Sequence, residues 1–264
     1  MPKKILVVRN IPRESLGFIA QFLREKNIAY DIIDADDTTN FPNLVDYGGV
    51  IIFGGPDSAN DKTPKIVKEL EFVGKCVEQK VPYLGICLGM QVLVAVVGGT
   101  VYVNEANGVK IKEIGVCDES GEFYEVDLTL AGRYDQLFAG IEEHYAEFGV
   151  DVAYASGSSD PFVVRLKIFQ MHGETVELLP NYGMQCLATG KHCKNQIVKV
   201  DENAYGIQGH FEVDEETFNS WVAEDDEIKQ MDIGKMKTQY EKAKQEYFNN
   251  AKLIFGNWLK IAGY

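Results

Sequence analysis

The chain has 264 residues, 45% hydrophobic and 25% charged, a balance typical of a soluble globular protein long enough for one large core. Its formal net charge of −14 disfavours nucleic acid or an anionic membrane surface as a partner. No apolar run approaches the roughly 20 residues of a membrane span, residues 1–8 do not read as a secretory leader, and five cysteines, an odd number, suit a reducing cytoplasm better than a disulfide framework.

In chain order, residues 5–8 predict a buried strand, and Leu16, Ile19, Ala20 and Leu23 give one apolar helical face. Residues 29–33 predict a second strand and residues 49–53 a third, which ends at Gly54-Gly55-Pro56-Asp57-Ser58. Thr63-Pro64 supplies an N-cap and a first-turn proline for a helix with the face Ile66, Leu70, Val73 and Val77. That helix leads into Val81-Pro82-Tyr83-Leu84-Gly85-Ile86-Cys87-Leu88-Gly89-Met90-Gln91, a strand turning into a helix that stops at Gly98-Gly99. Alternating strands and helices imply βαβ units, a mostly parallel sheet and right-handed crossovers. Ligands then bind beyond the carboxyl ends of the strands, so Gly54-Gly55 and Cys87 share one rim. After Gly99, residues 101–103, 108–111 and 123–128 predict shorter antiparallel additions to the sheet. Residues 142–164, with Ser156-Gly157-Ser158-Ser159-Asp160-Pro161, are expected to form a surface excursion. Two further strands are expected at 197–200 and 204–212. A helical tail carries the stripe Met236, Tyr240, Ala243, Tyr247, Ala251, Ile254 and Trp258, which packs on the sheet or, in a sharper reading, docks a partner.

Gly85-x-Cys87-x-Gly89 between strand and helix has the form of a nucleophile elbow. The flanking glycines relieve collisions with the backbone of the turn, and the following helix aims its positive end at the sulfur, favouring an exposed, reactive thiolate. The alternative, a buried core cysteine, explains neither glycine. His210 is the best-placed base, because positions 210 and 212 of a strand point to the same side and Glu212 can orient the ring. His144 and His192 sit in charged or polar surroundings and are expected to be solvated. His192-Cys193 and Cys186 match no metal-ligand spacing, so they are expected to be structural, with no metal and no cofactor in the protein. Backbone N–H groups of Leu88 and of the Gly54-Gly55 turn are the candidate oxyanion donors, with Gly55 allowing close approach to substrate.

These motifs resemble the triad-type class I glutamine amidotransferases. Gly54-Gly55-Pro56-x-Ser58 is similar to the oxyanion motif of that family, Pro82-x-Leu84-Gly85-Ile86-Cys87-Leu88-Gly89-Met90-Gln91 to its nucleophile motif, and Gly206-x-Gln208-x-His210-x-Glu212 to its His/Glu motif. Met171-His172-Gly173-Glu174-Thr175-Val176-x-x-Leu179-Pro180 resembles a segment of the GMP-synthase-like branch, and residues 254–259 resemble its closing helix. The resemblance implies a γ-glutamyl thioester on Cys87, with His210 as acid and base and Glu212 orienting it. Gly55 and Leu88 would bind the oxyanion. Gly54, Gln91, Met171, His172 and Gly173 would line the glutamine pocket, His172 as a wall rather than a second base. Phe211 replaces the family's usual proline, Glu174 replaces an aspartate, and the 142–164 excursion is longer than the family leads one to expect. The glycine turn also looks like a pyrophosphate loop, but Phe53 stands where that loop needs serine, and no phosphate-binding Gly-Lys-Ser/Thr loop occurs, so ATP use is not expected.

The sequence therefore predicts a three-layer, flavodoxin-like α/β fold, with an amidotransferase domain over residues 1–213 and a helical extension over 214–264 packed on the same domain. The expected reaction is hydrolysis of glutamine with delivery of ammonia to a separate synthase. A γ-glutamyl peptide or conjugate hydrolase and a non-catalytic binding protein on the same fold are the alternatives.

Overall fold

The computed structural model describes residues 3–12, 14–36, 40–143 and 163–264. The expected 142–164 excursion and His144 therefore fall almost entirely outside the described residues. In chain order the first half runs β1 (Lys4–Arg9), α1 (Gly17–Glu25), β2 (Tyr30–Asp34), β3 (Tyr47–Ile52), α2 (Pro64–Glu78), β4 (Tyr83–Ile86) and α3 (Leu88–Val96). Short strands follow: β5 (Thr100–Val103), β6 (Glu105–Ala106), β7 (Val109–Lys110), β8 (Glu113–Gly115) and β9 (Glu125–Leu128), then α4 (Leu130–Arg133). The remainder is β10 (Arg165–Lys167), β11 (Gln170–His172), β12 (Glu174–Glu177), β13 (Met184–Gly190), β14 (Ile197–Val200), β15 (Ala204–Ile207), α5 (Glu215–Glu224) and α6 (Ile233–Ile261).

Nine strands form the main sheet in the order β10-β9-β13-β14-β15-β4-β3-β1-β2. From β2 to β15 every pairing is parallel, and from β15 to β10 every pairing is antiparallel. Alternate residues of each strand feed different cores. Ile5, Val7, Ile51, Leu84 and Ile86 join α1, α5 and α6 on one face, while Leu6, Val8, Val50, Ile52 and Tyr83 join α2 and α3 on the other. Helices on both faces of the sheet give the three-layer, flavodoxin-like arrangement.

Two expectations for the middle of the chain are corrected. Of the short strands after Gly99, only β9 enters the main sheet. β5 pairs with β12, β6 with β7 and β8 with β11, each as a separate two-stranded ribbon. The sequence shows strand-forming residues there but not which edge they meet, and the partners of β5 and β8 lie far along the chain. The last strand also ends at Ile207 rather than at residue 212.

Local chemistry sets the helix starts. The Thr63 hydroxyl accepts from the Ile66 N–H and Pro64 opens α2. The Asp214 and Asp232 carboxylates cap α5 and α6. The expected stripe from Met236 to Trp258 is buried throughout, so α6 lies across the sheet. Tyr240 stacks on Phe218 with ring centres 4.1 Å apart, and the Trp258 indole donates to the Tyr83 carbonyl over 3.2 Å. Among the described residues no helix is long and apolar enough to cross a membrane.

Trp258 is fully buried and its indole N–H is engaged. Trp258→Ala should therefore cost about 3–5 kcal/mol in urea unfolding. Tyr182→Ala, at a side chain 70% exposed, should stay within about 0.5 kcal/mol.

Candidate active site

Parallel register brings the sequence motifs to one rim. Ile52 pairs with Gly85, and Ile86 pairs with Ile207. The chain leaving β3 at Gly54-Gly55, the turn after β4 at Cys87 and the segment after β15 thus emerge side by side. Cys87 has φ 52° and ψ −109°, a conformation that costs a side-chain-bearing residue about 1–3 kcal/mol. Its backbone is held there. Its N–H donates to the Ile207 carbonyl over 2.7 Å, and its own carbonyl accepts from Gln91 N–H over 3.1 Å. A Cβ on Gly85 would lie 2.4 Å from the Gly89 carbonyl, so this glycine is required by the turn itself. A Cβ on Gly89 would instead lie 2.3 Å from the Ile52 carbonyl oxygen, so the second glycine is required by the packing of α3 on β3.

His210 lies beyond the end of β15 and makes a single antiparallel bridge with Phe169. Its N–H donates to the Phe169 carbonyl over 2.7 Å, and the extended backbone keeps side chains 210 and 212 on the same side. The His210 Nδ1 and Glu212 Oε1 atoms are 2.5 Å apart, with both side chains buried. Burial opposes charge on this ring, but the Glu212 carboxylate and its hydrogen bond with Cys87 outweigh it and hold the imidazole well above its ordinary range. The Trp221 indole meets the ring edge-on at 5.0 Å. Phe211, where a proline was expected, is buried in the core.

The Cys87 thiol is 3.7 Å from the Met171 carbonyl, to which it donates, and it accepts from Gln208 Nε2 over 3.7 Å. Gln208 Oε1 in turn accepts from Gln91 Nε2 over 3.3 Å. Cys87 is 7% exposed and therefore buried, not exposed as the sequence suggested. Burial pushes the thiols of Cys76 and Cys193 up to about 12 and raises those of Cys117 and Cys186. Cys186 is the most accessible of the five, but it lies off the site.

On the other side of the sulfur, a Cβ at Gly54 would sit 3.0 Å from Cys87 Cβ. A Cβ at Gly55 would sit 2.6 Å from Asn10 Cβ, so packing of the turn against Asn10 by itself requires glycine there. Asn10 Nδ2 donates to the Phe53 carbonyl over 3.1 Å and to Glu69 Oε1 over 3.2 Å. Lys65 donates to the Asn10 carbonyl and pairs with Asp57 at 2.8 Å, which ties the glycine turn to α2.

These groups surround a cavity of about 670 Å³. Cys87, His210, Gly54, Gly55 and Leu88 line one part of it, and Gln91, Met171, His172 and Gly173 another, while Glu212 sits behind His210. An ion pair between Lys112 and Glu227 stands among its lining residues. Leu88 opens α3, so its N–H has no partner within the helix.

Four residues near this centre were given no role by the sequence motifs. Gln208 is two positions before His210, and Asn10 directly follows β1, so the strand period and the rim rule respectively could have found them. Glu69 falls between Ile66 and Val73 on an apolar helical face, which is itself a signal of a buried acid. Trp221 gave none.

A family model described as "Glutamine amidotransferase class-I" matches residues 16–229. The chain belongs to this family. The chain is 31% identical over 166 residues to a glutamine-hydrolyzing GMP synthase of Ectopseudomonas mendocina, covering 62% of the chain but 25% of that relative. It is 27% identical over 192 residues to a protein of Natronomonas pharaonis named as one subunit of a glutamine-hydrolyzing GMP synthase, covering 72% of the chain and 78% of the relative. Among solved structures, a glutamine amidotransferase of Thermotoga maritima matches with a TM-score of 0.75 and 25% identity over 100% of both chains. The chain thus spans about a quarter of the length of the bacterial GMP synthases it matches.

Burial raises the Glu69 carboxyl from 4.5 to about 7, partly offset by its hydrogen bond with Asn10. The folded chain keeps this proton to higher pH than the unfolded chain does. The carboxyl's stabilising contribution is therefore complete below about 4.5 and lost as pH rises through about 7, a change on the order of 3 kcal/mol. Glu69→Gln should abolish that part of the pH dependence, narrowing the difference in urea midpoint between pH 5 and pH 8 relative to the parent protein.

Proposed function

We propose that this protein hydrolyses the side-chain amide of glutamine through a γ-glutamyl thioester on Cys87 and passes the ammonia to a synthase on a separate polypeptide. The single observation that carries this reading is the Cys87 sulfur, raised on a left-handed elbow, facing the buried His210–Glu212 pair across one cavity.

In the proposed cycle the Cys87 proton passes to His210 and the sulfur attacks the amide carbon. The oxyanion is received by the Leu88 N–H and the Gly55 N–H. Collapse of the adduct breaks the carbon–nitrogen bond, and His210 returns the proton to the departing ammonia. His210 then takes a proton from water, the hydroxide attacks the thioester, and glutamate leaves as the Cys87 thiol re-forms. Glu212 orients the ring and stabilises its charged form. Gln91, Met171, His172 and Gly173 hold the amino-acid end of the substrate.

The separate synthase is supported by the Natronomonas pharaonis relative, whose name makes it one part of a larger enzyme and whose length is matched for the most part. A reducing, cytoplasmic setting is supported by five free cysteines. One observation favours a second reading. The cavity is in the size range of sites for drug-sized ligands, larger than free glutamine needs, which suits a γ-glutamyl peptide or conjugate.

A diazo-ketone analogue of glutamine should label the protein once, at Cys87, as read by peptide mapping. Label on another cysteine with Cys87 untouched would remove the nucleophile assignment. Cys87→Ala should abolish turnover and His210→Ala nearly so, whereas Glu212→Gln should lose a smaller factor because it supports the base rather than performing the step.

Steady-state kinetics separate the two substrate readings. The isolated chain should turn glutamine over slowly, because rotation of the Gly54-Gly55 peptide removes one oxyanion donor and costs about 100- to 1000-fold. A cognate synthase should raise kcat more than it lowers KM, since the restored contact forms in the transition state. Fast hydrolysis of a γ-glutamyl dipeptide without any partner would decide for the hydrolase.

A further inference from the structure

At the pocket wall formed by β11 lies a second cluster of reactive side chains that makes or breaks no bond in the proposed reaction, although one member, His172, lines the substrate cavity. Glu113 and His172 are directly opposite one another on the paired strands β8 and β11, and Cys193 comes from the turn between β13 and β14. All three are buried, and one ligand atom from each lies within 4.8 Å of the other two. His172 Nδ1 is 3.1 Å from the Glu174 carbonyl oxygen, which can only accept, so this nitrogen carries the ring proton. With Nδ1 carrying the proton, Nε2 is the ring atom able to offer a lone pair. It is buried without a hydrogen-bond partner, and it stands 3.3 Å from Glu113 Oε2, itself an acceptor. Two acceptors facing each other inside a protein need a shared proton or a metal ion between them, and the Cys193 sulfur beside both completes a donor set that suits a metal ion.

We propose that Glu113, His172 and Cys193 form a buried binding site for one divalent transition-metal ion, with zinc as the expected occupant. Carboxylate, imidazole and thiolate together are a zinc-type donor set. Two nitrogen or oxygen ligands on a tetrahedral zinc are about 3.4 Å apart, close to the separation of Nε2 and Oε2 seen here. One carboxylate and one thiolate neutralise the ion, so the occupied site carries no net buried charge. The outer partners are also in place. Gln196 Nε2 donates to Glu113 Oε2 over 3.4 Å, the Thr175 hydroxyl is 3.1 Å from Cys193 Sγ, and Glu174 holds the imidazole. Binding displaces the Cys193 proton to solvent, and the fourth position goes to a water or to the buried, unpartnered Gln196 Oε1. His172 lines the large cavity, which provides the path of entry. The ion would tie three chain segments together directly behind Met171, whose carbonyl faces the Cys87 thiol.

The test uses the full chain, freed of metal by chelation and dialysis and titrated with Co²⁺ alone. One equivalent should bind with a thiolate-to-cobalt charge-transfer absorption that Zn²⁺ displaces. The band should be lost in Cys193→Ser and kept in the Cys87→Ser, Cys186→Ser double variant, and Gln196→Ala should weaken binding about 10- to 100-fold. Absence of stoichiometric binding to the parent chain would overturn the proposal, as would a band that disappears in the Cys87→Ser, Cys186→Ser protein. The double variant excludes Cys87 and Cys186 as the source of the thiolate even if Cys193→Ser fails to fold, and Glu113→Gln, which keeps every thiol, should lose the band as well. None of these readouts involves glutamine, so failure of the metal site and failure of the hydrolytic reading are distinguishable.

Discussion

The site depends on how closely α3 approaches the ends of β3 and β4. Gly85 and Gly89 leave no room for a side chain at either contact: a Cβ at one meets the turn and a Cβ at the other meets the Ile52 carbonyl. That closeness forces the residue between them into a left-handed conformation, and this is what lifts the Cys87 sulfur out of the sheet. The same seam places the first turn of α3, with its unsatisfied N–H groups, beside the sulfur. Strain at Cys87 is tolerated because its backbone is hydrogen-bonded on both sides, to Ile207 and to Gln91.

Around this seam the surroundings are polar and almost fully buried. His210 and Glu212 stabilise each other, and the net effect of burial against Glu212 and Cys87 is a ring that holds a proton readily. Asn10, Glu69 and Lys65 hold the glycine turn from beneath, a network that links its backbone to α2. Gln208 and Gln91 close the remaining side, and their amides are mutually engaged. Each of these groups satisfies a neighbour that would otherwise be an unpaired polar atom in a low-dielectric interior. The side chains around the rim are thus tied to one another and to α2 through buried hydrogen bonds.

The tail contributes to this centre without being part of the rim. α5 sets Trp221 against His210, and α6 buries its long stripe on the same face of the sheet. The Trp258 indole bonds to the Tyr83 carbonyl at the start of β4, so the strand that carries the elbow is anchored at its far end by the last helix.

Much of this was legible in the sequence. The alternation of strand and helix, the glycine-flanked cysteine, the 210/212 pair and the Thr63-Pro64 cap depend on neighbours within a few residues, and local spacing records such relations. The stripe of α6 was legible for the same reason, because the helical period repeats over many turns. Tertiary structure alone decided relations between distant segments: which edge β5 and β8 pair with, why Gly55 must be glycine, and that Glu69 lies beneath the glycine turn. It likewise decided that Glu113, His172 and Cys193 converge. Their separations along the chain match no ligand spacing, and His192 beside Cys193 is the local pattern that a reader of sequence sees instead. Side chains brought together by sheet pairing leave no periodic trace, because their distance in space is set by register and not by chain position.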